Sequence, residues 1–257
     1  MAEKPIDLGL TALDELFMTD AQRQENKLPR IRDIPLDQID DMPNHPYKVR
    51  MDEDMDALTE SVRTSGIITP VILRKKEDGR FECVAGHRRR KAAELAGHTT
   101  IRAEVREMTR DEAIILMVDS NLRQRETLLP SEKAWAYRMK LEAIKRQGFR
   151  SDLTSAQVGQ NFEGKTSRAQ IAENSPDSSS QIQRYIRLNE LEPELLQLVD
   201  EGKIGMTPAV EISYLKPDEQ RLLIETIDSE QATPSFSQAQ RMRRLSGEGK
   251  LNDDTIL

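Results

Sequence analysis

The sequence FECVAGHRRRKAAELAG, residues 81–97, decides the fold of the first part of this chain. Phe81 to Val84 are residue types typical of a strand, and the run from His87 to Ala96 is typical of a helix. Gly86 lies between them, and Gly97 occupies the position of a helix C-cap. A strand that turns through glycine into a helix leaves several backbone N–H groups unpaired and pointing the same way. This stretch therefore predicts an anion site at the start of the helix.

Four cations follow the glycine on the first turns of this helix: Arg88, Arg89, Arg90 and Lys91. The helix dipole disfavours positive charge at this end, so the cations cost stability unless an anion is bound or paired nearby. One interpretation is a phosphate or nucleotide pocket. The other is a solvated basic helix face, and these residues by themselves do not choose between the two.

Four segments in order resemble the ParB partition-protein family. GHRRRKAAELAG (86–97) resembles its arginine box, whose common form is GERRxRAA followed by small residues and glycine. HPYKVR (45–50), followed by a helix and GIITPVILR (66–74), is similar to its first box. Asp119-Ser120-Asn121-Leu122 is similar to its ENL box, and a helix-turn-helix follows. The resemblance covers residues 36–223, and four ordered matches are far more specific than any single one.

The resemblance implies an α+β chain, in which a small mixed α/β, sulfiredoxin-like domain precedes an all-α helix-turn-helix domain. It implies CTP and Mg²⁺ as cofactors, a centromere-like double-stranded DNA site, a ParA-type ATPase partner and a dimer. In this sequence the implied nucleotide-binding residues are Tyr47, Arg50, Gly66, Thr69, Gly86, His87, Arg88, Arg89 and Asn121. Asn121 is also the implied metal ligand.

The chain departs from the family pattern at two carboxylates. His87 stands where the arginine box has Glu, and Ser120 stands where the ENL box has Glu. The arginine that follows the ENL box also lies one residue later, as Arg125. Because Mg²⁺ requires oxygen ligands in a strict geometry, these changes affect metal-assisted hydrolysis more than nucleotide binding. If CTP is hydrolysed to CDP at all, we expect slow turnover.

Composition predicts a cytoplasmic protein, and the resemblance implies that it acts on nucleoid or plasmid DNA. The 257 residues are enough for roughly two domains. No apolar run approaches the ~18 residues of a membrane span, and the N-terminus lacks the apolar core of a signal peptide. Cys83 is the only cysteine, which excludes an internal disulfide and a cysteine-based metal site, and we expect it to pack in a buried strand.

The net charge of -7 argues against a protein that coats nucleic acid indiscriminately. The distribution of charge along the chain is more informative about a local binding site. Residues 86–150 contain 15 Lys and Arg against 9 Asp and Glu, whereas 33–60 and 190–230 are acidic. A basic middle between acidic segments permits a local phosphate-binding face. Ordinary charge segregation between neighbouring helices is the alternative.

Four regions are predicted along the chain. Residues 1–30 form an N-terminal arm with an apolar stripe at Leu8, Leu10, Leu13, Leu16 and Phe17. This stripe either docks on the ParA-type ATPase or packs back on its own domain. Residues 31–125 form the nucleotide-binding domain, 126–230 the helical DNA-binding domain, and 231–257 a polar C-terminal segment.

Local signals predict most of the elements. Strands are expected at Ile34–Ile39, Ile67–Arg74 with a break at Thr69-Pro70, and Ile101–Val105. Helices are expected from Asp52 to Gly66, from the capping box at Thr109 to near Asn121, and from Pro130 to Gln147 with Gly148 as cap. Further helices are expected at Pro193–Glu201, Thr207–Leu215, Asp218–Ile227 and Ser237–Leu245.

The predicted helix-turn-helix runs from Thr166–Asn174 through a turn to Ser178–Asn189. Ile182 is expected to face the core. The expected DNA contacts are Arg168, Gln170, Ser178, Ser179, Ser180, Gln183, Arg184 and Arg187. Arginine favours guanine and glutamine favours adenine in the major groove. Ser179 stands where the family usually has Arg, so we expect a different base preference. A plain helical hairpin is the alternative.

Two other classes of function remain at this point. An enzyme built on the same scaffold could be a sulfiredoxin-like phosphotransferase, a kinase or a ParB-like nuclease. A sulfiredoxin needs Cys beside the glycine, where this chain has Ala85 and His87, so that class is excluded. A kinase or nuclease would need an additional carboxylate cluster. A transcription regulator that binds DNA and no nucleotide is the third class.

Overall fold

The computed structural model describes residues 31–47, 49, 51–124, 127–154, 171–172, 175–252 and 255–256, with no account of the side chains at 124 and 148–154. The predicted N-terminal arm 1–30, Arg50, Arg125, Arg168 and Gln170 lie outside the described residues. Two compact units divide the chain. The first contains 31–42 and Val49–Met108, and the second contains Pro43–Lys48 and Thr109–Leu257.

The first unit is built on one mixed five-stranded sheet. Its strands are β1 (Ile31–Pro35), β2 (Ile39–Asp41), β3 (Val71–Lys75), β4 (Phe81–Ala85) and β5 (Thr100–Arg106). The order across the sheet is β1-β5-β3-β4-β2. The pairs β1/β5 and β3/β4 are antiparallel, whereas β3/β5 and β2/β4 are parallel. This sheet confirms the predicted mixed α/β domain.

The strand predicted over Ile34–Ile39 is wrong, because the chain breaks there into two strands. A short 3₁₀ turn, Leu36–Gln38, separates β1 from β2, and the Leu36 N–H donates to the Thr99 carbonyl at 3.0 Å. The turn carries the chain from one edge of the sheet to the other, since β1 pairs with β5 and β2 pairs with β4. Only long-range pairing distinguishes this arrangement from one continuous strand.

Two helices, α1 (Glu53–Ser65) and α2 (His87–Leu95), pack together in the first unit. The Asp52 carboxylate caps α1 by accepting from the Met55 N–H at 3.0 Å, as the sequence predicts. Buried apolar side chains from both helices and the sheet form the core: Met55, Val62, Val71, Leu73, Cys83, Ala92, Ala93, Ile101 and Ala103.

The described part of the second unit is helical. Its helices are α3 (Arg110–Gln124), α4 (Pro130–Thr154), α5 (Ser179–Arg187), α6 (Pro193–Asp200), α7 (Met206–Ile212), α8 (Pro217–Glu230) and α9 (Phe236–Gly247). This confirms the predicted α+β architecture. Because α3 packs on α4, the observed division falls before Thr109, whereas the predicted boundary was at residue 125.

One predicted helix end in this unit differs from the structure. Helix α4 continues to Thr154, past the predicted stop at Gln147, because a glycine such as Gly148 costs a helix only about 1 kcal/mol. The C-terminal segment 231–257 contains the helix predicted at Ser237–Leu245, which the structure has as α9 (Phe236–Gly247). Its helix α9 buries Ala239 and Met242 in the core of the unit. None of the described helices meets the length and apolarity that crossing a membrane requires.

Candidate nucleotide and DNA sites

The junction between β4 and α2 has the geometry of an anion site. Gly86 is the N-cap of α2 with φ 103° and ψ 25°, a left-handed conformation that favours glycine. The first backbone hydrogen bond of the helix runs from the Arg90 N–H to the Gly86 carbonyl at 2.9 Å. The N–H groups of the first turn, which precede Arg90, have no carbonyl partner within the helix. Such groups bind anions at helix N-termini.

Close packing on β3 also restricts this position to glycine. A Cβ atom on Gly86 would lie 2.7 Å from Cγ1 and 3.1 Å from Cβ of Val71, which is itself fully buried. The backbone of the junction is therefore pressed against β3, and the Arg89 Nη2 atom lies 3.1 Å from the same Cβ position.

Arg89 holds the loop between α1 and β3. Its Nη1 donates to the carbonyl oxygens of Thr69 and Pro70, the second at 2.8 Å. Burial lowers the pKa of the Arg89 guanidinium, although an arginine remains charged at any physiological pH. The predicted residues Thr69 and Arg89 are thus brought together, with Arg89 in a positioning role.

Arg88 and Arg90 extend in other directions. The Arg88 Nη2 atom lies 3.5 Å from the Asp52 carboxylate, and its side chain is 37% exposed. Arg90 is only 13% exposed and pairs with Asp41 and, at 3.2 Å, with Glu94. Arg88 therefore has the weakest protein contact of the two and is the cation best able to take up a phosphate.

Two further predicted residues of the first unit, His87 and Gly66, lie at the ends of helices. His87 is the first residue of α2. Gly66 ends α1 with φ 67°, and its N–H donates to the Val62 carbonyl at 2.9 Å. Gly66 and Thr69 belong to the loop that Arg89 holds, and this hydrogen bonding brings the loop next to the start of α2.

Tyr47 and Asn121 belong to the second unit. Tyr47 is 2% exposed, and its hydroxyl donates to the Val118 carbonyl at 3.5 Å. Asn121 lies on α3, which extends beyond its predicted end, and its Nδ2 donates to the Met117 carbonyl at 2.8 Å. The amide oxygen of Asn121 remains as a potential ligand for a metal or phosphate-bound water.

The neighbours of Asn121 are already engaged. Ser120 Oγ donates to the Met117 carbonyl at 2.9 Å, and the Asp119 carboxylate pairs with the buried Lys140 ammonium. Within the described ranges, no group of three or more His, Cys, Asp or Glu side chains could hold a metal ion.

Helix α5 has the features of a DNA recognition helix. Ser178 is its N-cap and accepts from the Gln181 N–H at 3.3 Å, while Ile182 is fully buried as predicted. The exposed face begins at the N-terminus and carries Ser179, Ser180, Gln183 and Arg184. Short polar, amide and guanidinium side chains in this position suit contacts with base edges in the major groove.

A hydrogen-bond network that has no sequence signature anchors the turn before α5. Asp177 Oδ2 accepts from the Tyr137 hydroxyl at 2.6 Å and from Lys133 Nζ at 3.0 Å. Ser175 Oγ lies 2.6 Å from the same hydroxyl. Burial, with the hydrogen bond to Asp177, raises the pKa of Tyr137 far above its ordinary value. The network ties the start of α5 to α4.

Arg187, one of the predicted DNA contacts, is held by a distant residue. Its Nε and Nη2 donate to the hydroxyl and carbonyl oxygens of Ser213, at 3.1 and 2.6 Å. Arg184 remains exposed, and its Nη2 donates to Thr207 Oγ1 at 2.8 Å. These partners are more than 20 residues away in sequence, so no local pattern could have indicated them.

Comparison with known sequences points to one family. The ParB N-terminal domain family matches residues 19–122. The chromosome-partitioning protein Spo0J of Thermus thermophilus is 31% identical over 186 residues, which cover 72% of this chain and 61% of that protein. Stage 0 sporulation protein J of Bacillus subtilis is 37% identical over 171 residues, covering 65% and 53%. The nucleoid occlusion protein of Halalkalibacterium halodurans is 29% identical over 213 residues, covering 81% and 67%.

The chain spans between about two fifths and two thirds of the length of the curated relatives it matches. Among solved structures, a C-terminally truncated ParB from Caulobacter crescentus complexed to the centromeric parS site is 20% identical. It covers 84% of this chain and 99% of that one, with a TM-score of 0.47. The same protein complexed with CTP-γ-S is 24% identical, covering 77% and 99%, with a TM-score of 0.35. Structural similarity at this level assigns no ligand to the present chain.

Proposed function

The chain belongs to the ParB partition-protein family, and from that premise we propose that it is a DNA-segregation protein with a nucleotide switch. Helix α5 and its turn bind a centromere-like DNA site. The first unit binds CTP, and CTP binding controls how two copies close around and spread along the DNA. Hydrolysis of CTP to CDP, if it occurs, is slow and serves release.

The observation that carries the proposal is the left-handed Gly86 at the start of a helix rich in arginine. Its backbone N–H groups bind the phosphates, because the helix dipole and the absence of a side chain both favour an anion there. Arg88 supplies positive charge next to that turn, and its carboxylate partner lies at the outer limit of an ion pair. Arg89 keeps the adjoining loop in place.

The described residues fit a nucleotide more readily than a tightly held metal. The arginine box has no carboxylate at His87, and the ENL box has Ser120 in place of Glu. We therefore assign Mg²⁺ to the phosphate oxygens of the nucleotide, with Asn121 as the protein group that the resemblance implies. When bound, the metal neutralises phosphate charge, and the residues of this chain hold and orient the nucleotide.

The DNA part of the proposal rests on α5. Ser179, Ser180, Gln183 and Arg184 form its exposed face, while buried Ile182 and the Asp177 network keep that face in position. Because Ser179 replaces the usual arginine, we expect a base preference different from that of the family consensus. The outward residues read bases, and the flanking basic groups bind phosphates.

The partners follow from the same premise. We propose that the chain acts as a dimer on nucleoid or plasmid DNA in the cytoplasm. Residues 1–30, which carry the apolar stripe, are the proposed docking peptide for a ParA-type ATPase. Deletion of 1–30 is expected to abolish stimulation of the ATPase and to leave DNA binding unchanged.

A nucleotide panel tests the proposal. Calorimetric titration of the full chain with CTP, ATP, GTP and UTP, each with and without Mg²⁺ and in the presence of a selected DNA duplex, should show binding of CTP alone. Binding should weaken strongly in Arg88→Gln. A chain that selects a DNA duplex and binds none of the four nucleotides would instead be a plain DNA-binding regulator.

A further inference from the structure

We propose that Arg187, Tyr214 and Arg243 form a second DNA-binding element, which binds the sugar–phosphate backbone beside the recognition helix. We call these three residues the arginine–tyrosine cluster. The inference rests on the proposed DNA-binding function and extends it to α9 and to the residues after α7, which lie outside the helix-turn-helix.

The cluster is a stack of two guanidinium groups on one aromatic ring. The guanidinium carbon of Arg187 lies 4.1 Å from the ring centroid of Tyr214, and that of Arg243 lies 3.7 Å from it. Both guanidinium groups therefore lie over the same aromatic ring. Tyr214 is 43% exposed, which places the stack at the surface.

The stack carries more positive charge than its protein neighbours neutralise. Arg243 pairs with Glu211 at 2.9 Å, a carboxylate that is itself only 17% exposed. Arg187 pairs with no carboxylate among the described residues, and its hydrogen bonds go to the hydroxyl and carbonyl oxygens of Ser213. Two cations and one carboxylate leave a net charge of +1 at this surface.

Both guanidinium groups keep hydrogen-bond donors for a ligand. Arginine has five N–H donors, of which the contacts within the described residues use two in Arg187 and one in Arg243. The planar fork of a guanidinium matches the oxygen pairs of a phosphate, and stacking on the ring holds each plane in one orientation. The cluster is thus preorganised for phosphate.

The position of the cluster continues the exposed face of α5. Arg187 lies four residues after Gln183 and three after Arg184, so the three share one side of the helix. Through Tyr214 this side extends to Arg243 on α9. If α5 lies in a groove of a DNA duplex, the sugar–phosphate backbone beside that groove would therefore contact the arginine–tyrosine cluster.

Phosphate rather than base contact is the chemistry that fits. Contacts with phosphates position a protein on the duplex, whereas sequence is read at base edges by side chains that enter a groove. Both arginines are tied to neighbouring elements, Arg187 to Ser213 and Arg243 to Glu211. They cannot extend into a groove without breaking those contacts. Loss of the cluster should therefore weaken binding equally for all sequences.

The test measures DNA binding of the full chain by fluorescence anisotropy over a series of NaCl concentrations. One duplex is selected from a random pool by the wild-type chain, and the other is a scrambled duplex of the same composition. Arg243→Gln should weaken binding to both duplexes about three- to ten-fold. The logarithm of the association constant falls linearly with the logarithm of the salt concentration. Arg243→Gln should make this negative slope less steep by about 0.9, the value for one phosphate contact.

Arg221→Gln is the matched control, because it removes one positive charge from α8 at a site paired with Asp218 and Glu192. It should leave the slope unchanged. Tyr214→Phe keeps the ring and should bind like the wild type, whereas Tyr214→Leu should lose affinity as Arg243→Gln does. Thermal unfolding checks that each variant is folded.

The wild type could select a duplex while Arg243→Gln and Arg221→Gln show equal salt slopes. That result would overturn the proposed role of the cluster and leave the proposed function standing. Unequal loss on the two duplexes would also overturn it, because the contact would then read sequence. A wild-type chain that selects no duplex would overturn both the function and the inference.

Discussion

Cγ1 of Val71 lies 2.7 Å from the position that a Cβ atom on Gly86 would occupy. Val71 is the first residue of β3 and is fully buried, and Gly86 directly follows β4, the strand next to β3. The contact presses the turn after β4 against the start of β3. It thereby sets where α2 begins and which way the first N–H groups of that helix point.

We predict that Gly86→Ala lowers the free energy of unfolding of the first unit by about 2–5 kcal/mol and abolishes CTP binding. Backbone strain at positive φ and overpacking against Val71 both contribute. Gly79→Ala is the control, because Gly79 has φ 83° but no atom within 4 Å of the added methyl group. It should cost only about 1 kcal/mol and leave CTP binding intact. Urea unfolding and calorimetry measure both effects, and equal losses in the two variants would contradict the packing argument.

Arg88 and Arg89 should separate direct from indirect contributions to nucleotide binding. Arg89→Lys cannot hold the Thr69 and Pro70 carbonyls in the same way, so both thermal stability and CTP affinity should fall. Arg88→Gln loses only a 3.5 Å contact with Asp52, so CTP affinity should fall while stability changes by no more than about 0.5 kcal/mol. The measurements are thermal unfolding and titration calorimetry. Unchanged stability in Arg89→Lys would remove its positioning role.

The Asp177 network should determine the placement of the recognition helix. Asp177→Ala removes the acceptor for Tyr137 and Lys133, so we expect a loss of about 1–3 kcal/mol in the free energy of unfolding. DNA affinity should fall as well, because α5 begins two residues later. Tyr137→Phe keeps the ion pair with Lys133 and should have a smaller effect on both quantities. The prediction fails if Asp177→Ala binds DNA as tightly as the wild type.

The ion pair between Lys140 and Asp119 should be costly to break from one side only. The Lys140 side chain is 2% exposed, whereas Asp119 is 20% exposed. Asp119→Ala leaves a buried ammonium without its partner and should cost about 3–5 kcal/mol. Lys140→Met replaces the cation with an apolar side chain and leaves a hydrated carboxylate, so the loss should be much smaller. In urea unfolding the double variant should resemble Lys140→Met. Additive losses would show that the two side chains do not act as a pair.

Cys83 should make the stability of the first unit depend on pH in the alkaline range. Burial raises the pKa of this thiol to about 12, whereas an unfolded thiol has a pKa of about 8.5. Above the lower value the unfolded chain releases its proton first, so stability falls as pH rises. Relative to Cys83→Ala, the wild type should lose about 2 kcal/mol between pH 7 and pH 10. Urea unfolding of both proteins at the two pH values measures the difference. A constant difference would mean that the thiol titrates equally in both states.

Local signals predicted the elements that depend on neighbouring residues. The strand–glycine–helix pattern at residues 81–97 was confirmed because each part has its own backbone preference. The cap at Asp52 and the capping box at Thr109 were confirmed because their partners lie three residues away. An interaction across three residues is visible in the sequence as a spacing.

Elements that depend on distant residues were not predicted. The split between β1 and β2 depends on opposite edges of the sheet, and the end of α4 had been placed at a glycine that the helix passes through. Arg187 was predicted to be an outward DNA contact. Its own helix did not indicate that it would donate hydrogen bonds to Ser213, 26 residues later. Nothing in the sequence indicated that two arginines would stack on Tyr214.

The sequence by itself determined the α+β class, the glycine junction and the order of the motifs that identify the family, because these follow from residue types at short spacings. Tertiary structure alone decided which of the cations on α2 holds a loop, and which arginines of the second unit share one ring. The reason is physical: a long charged side chain contacts whichever helix, strand or loop packs beside its own. Which element packs there depends on the fold of the whole unit.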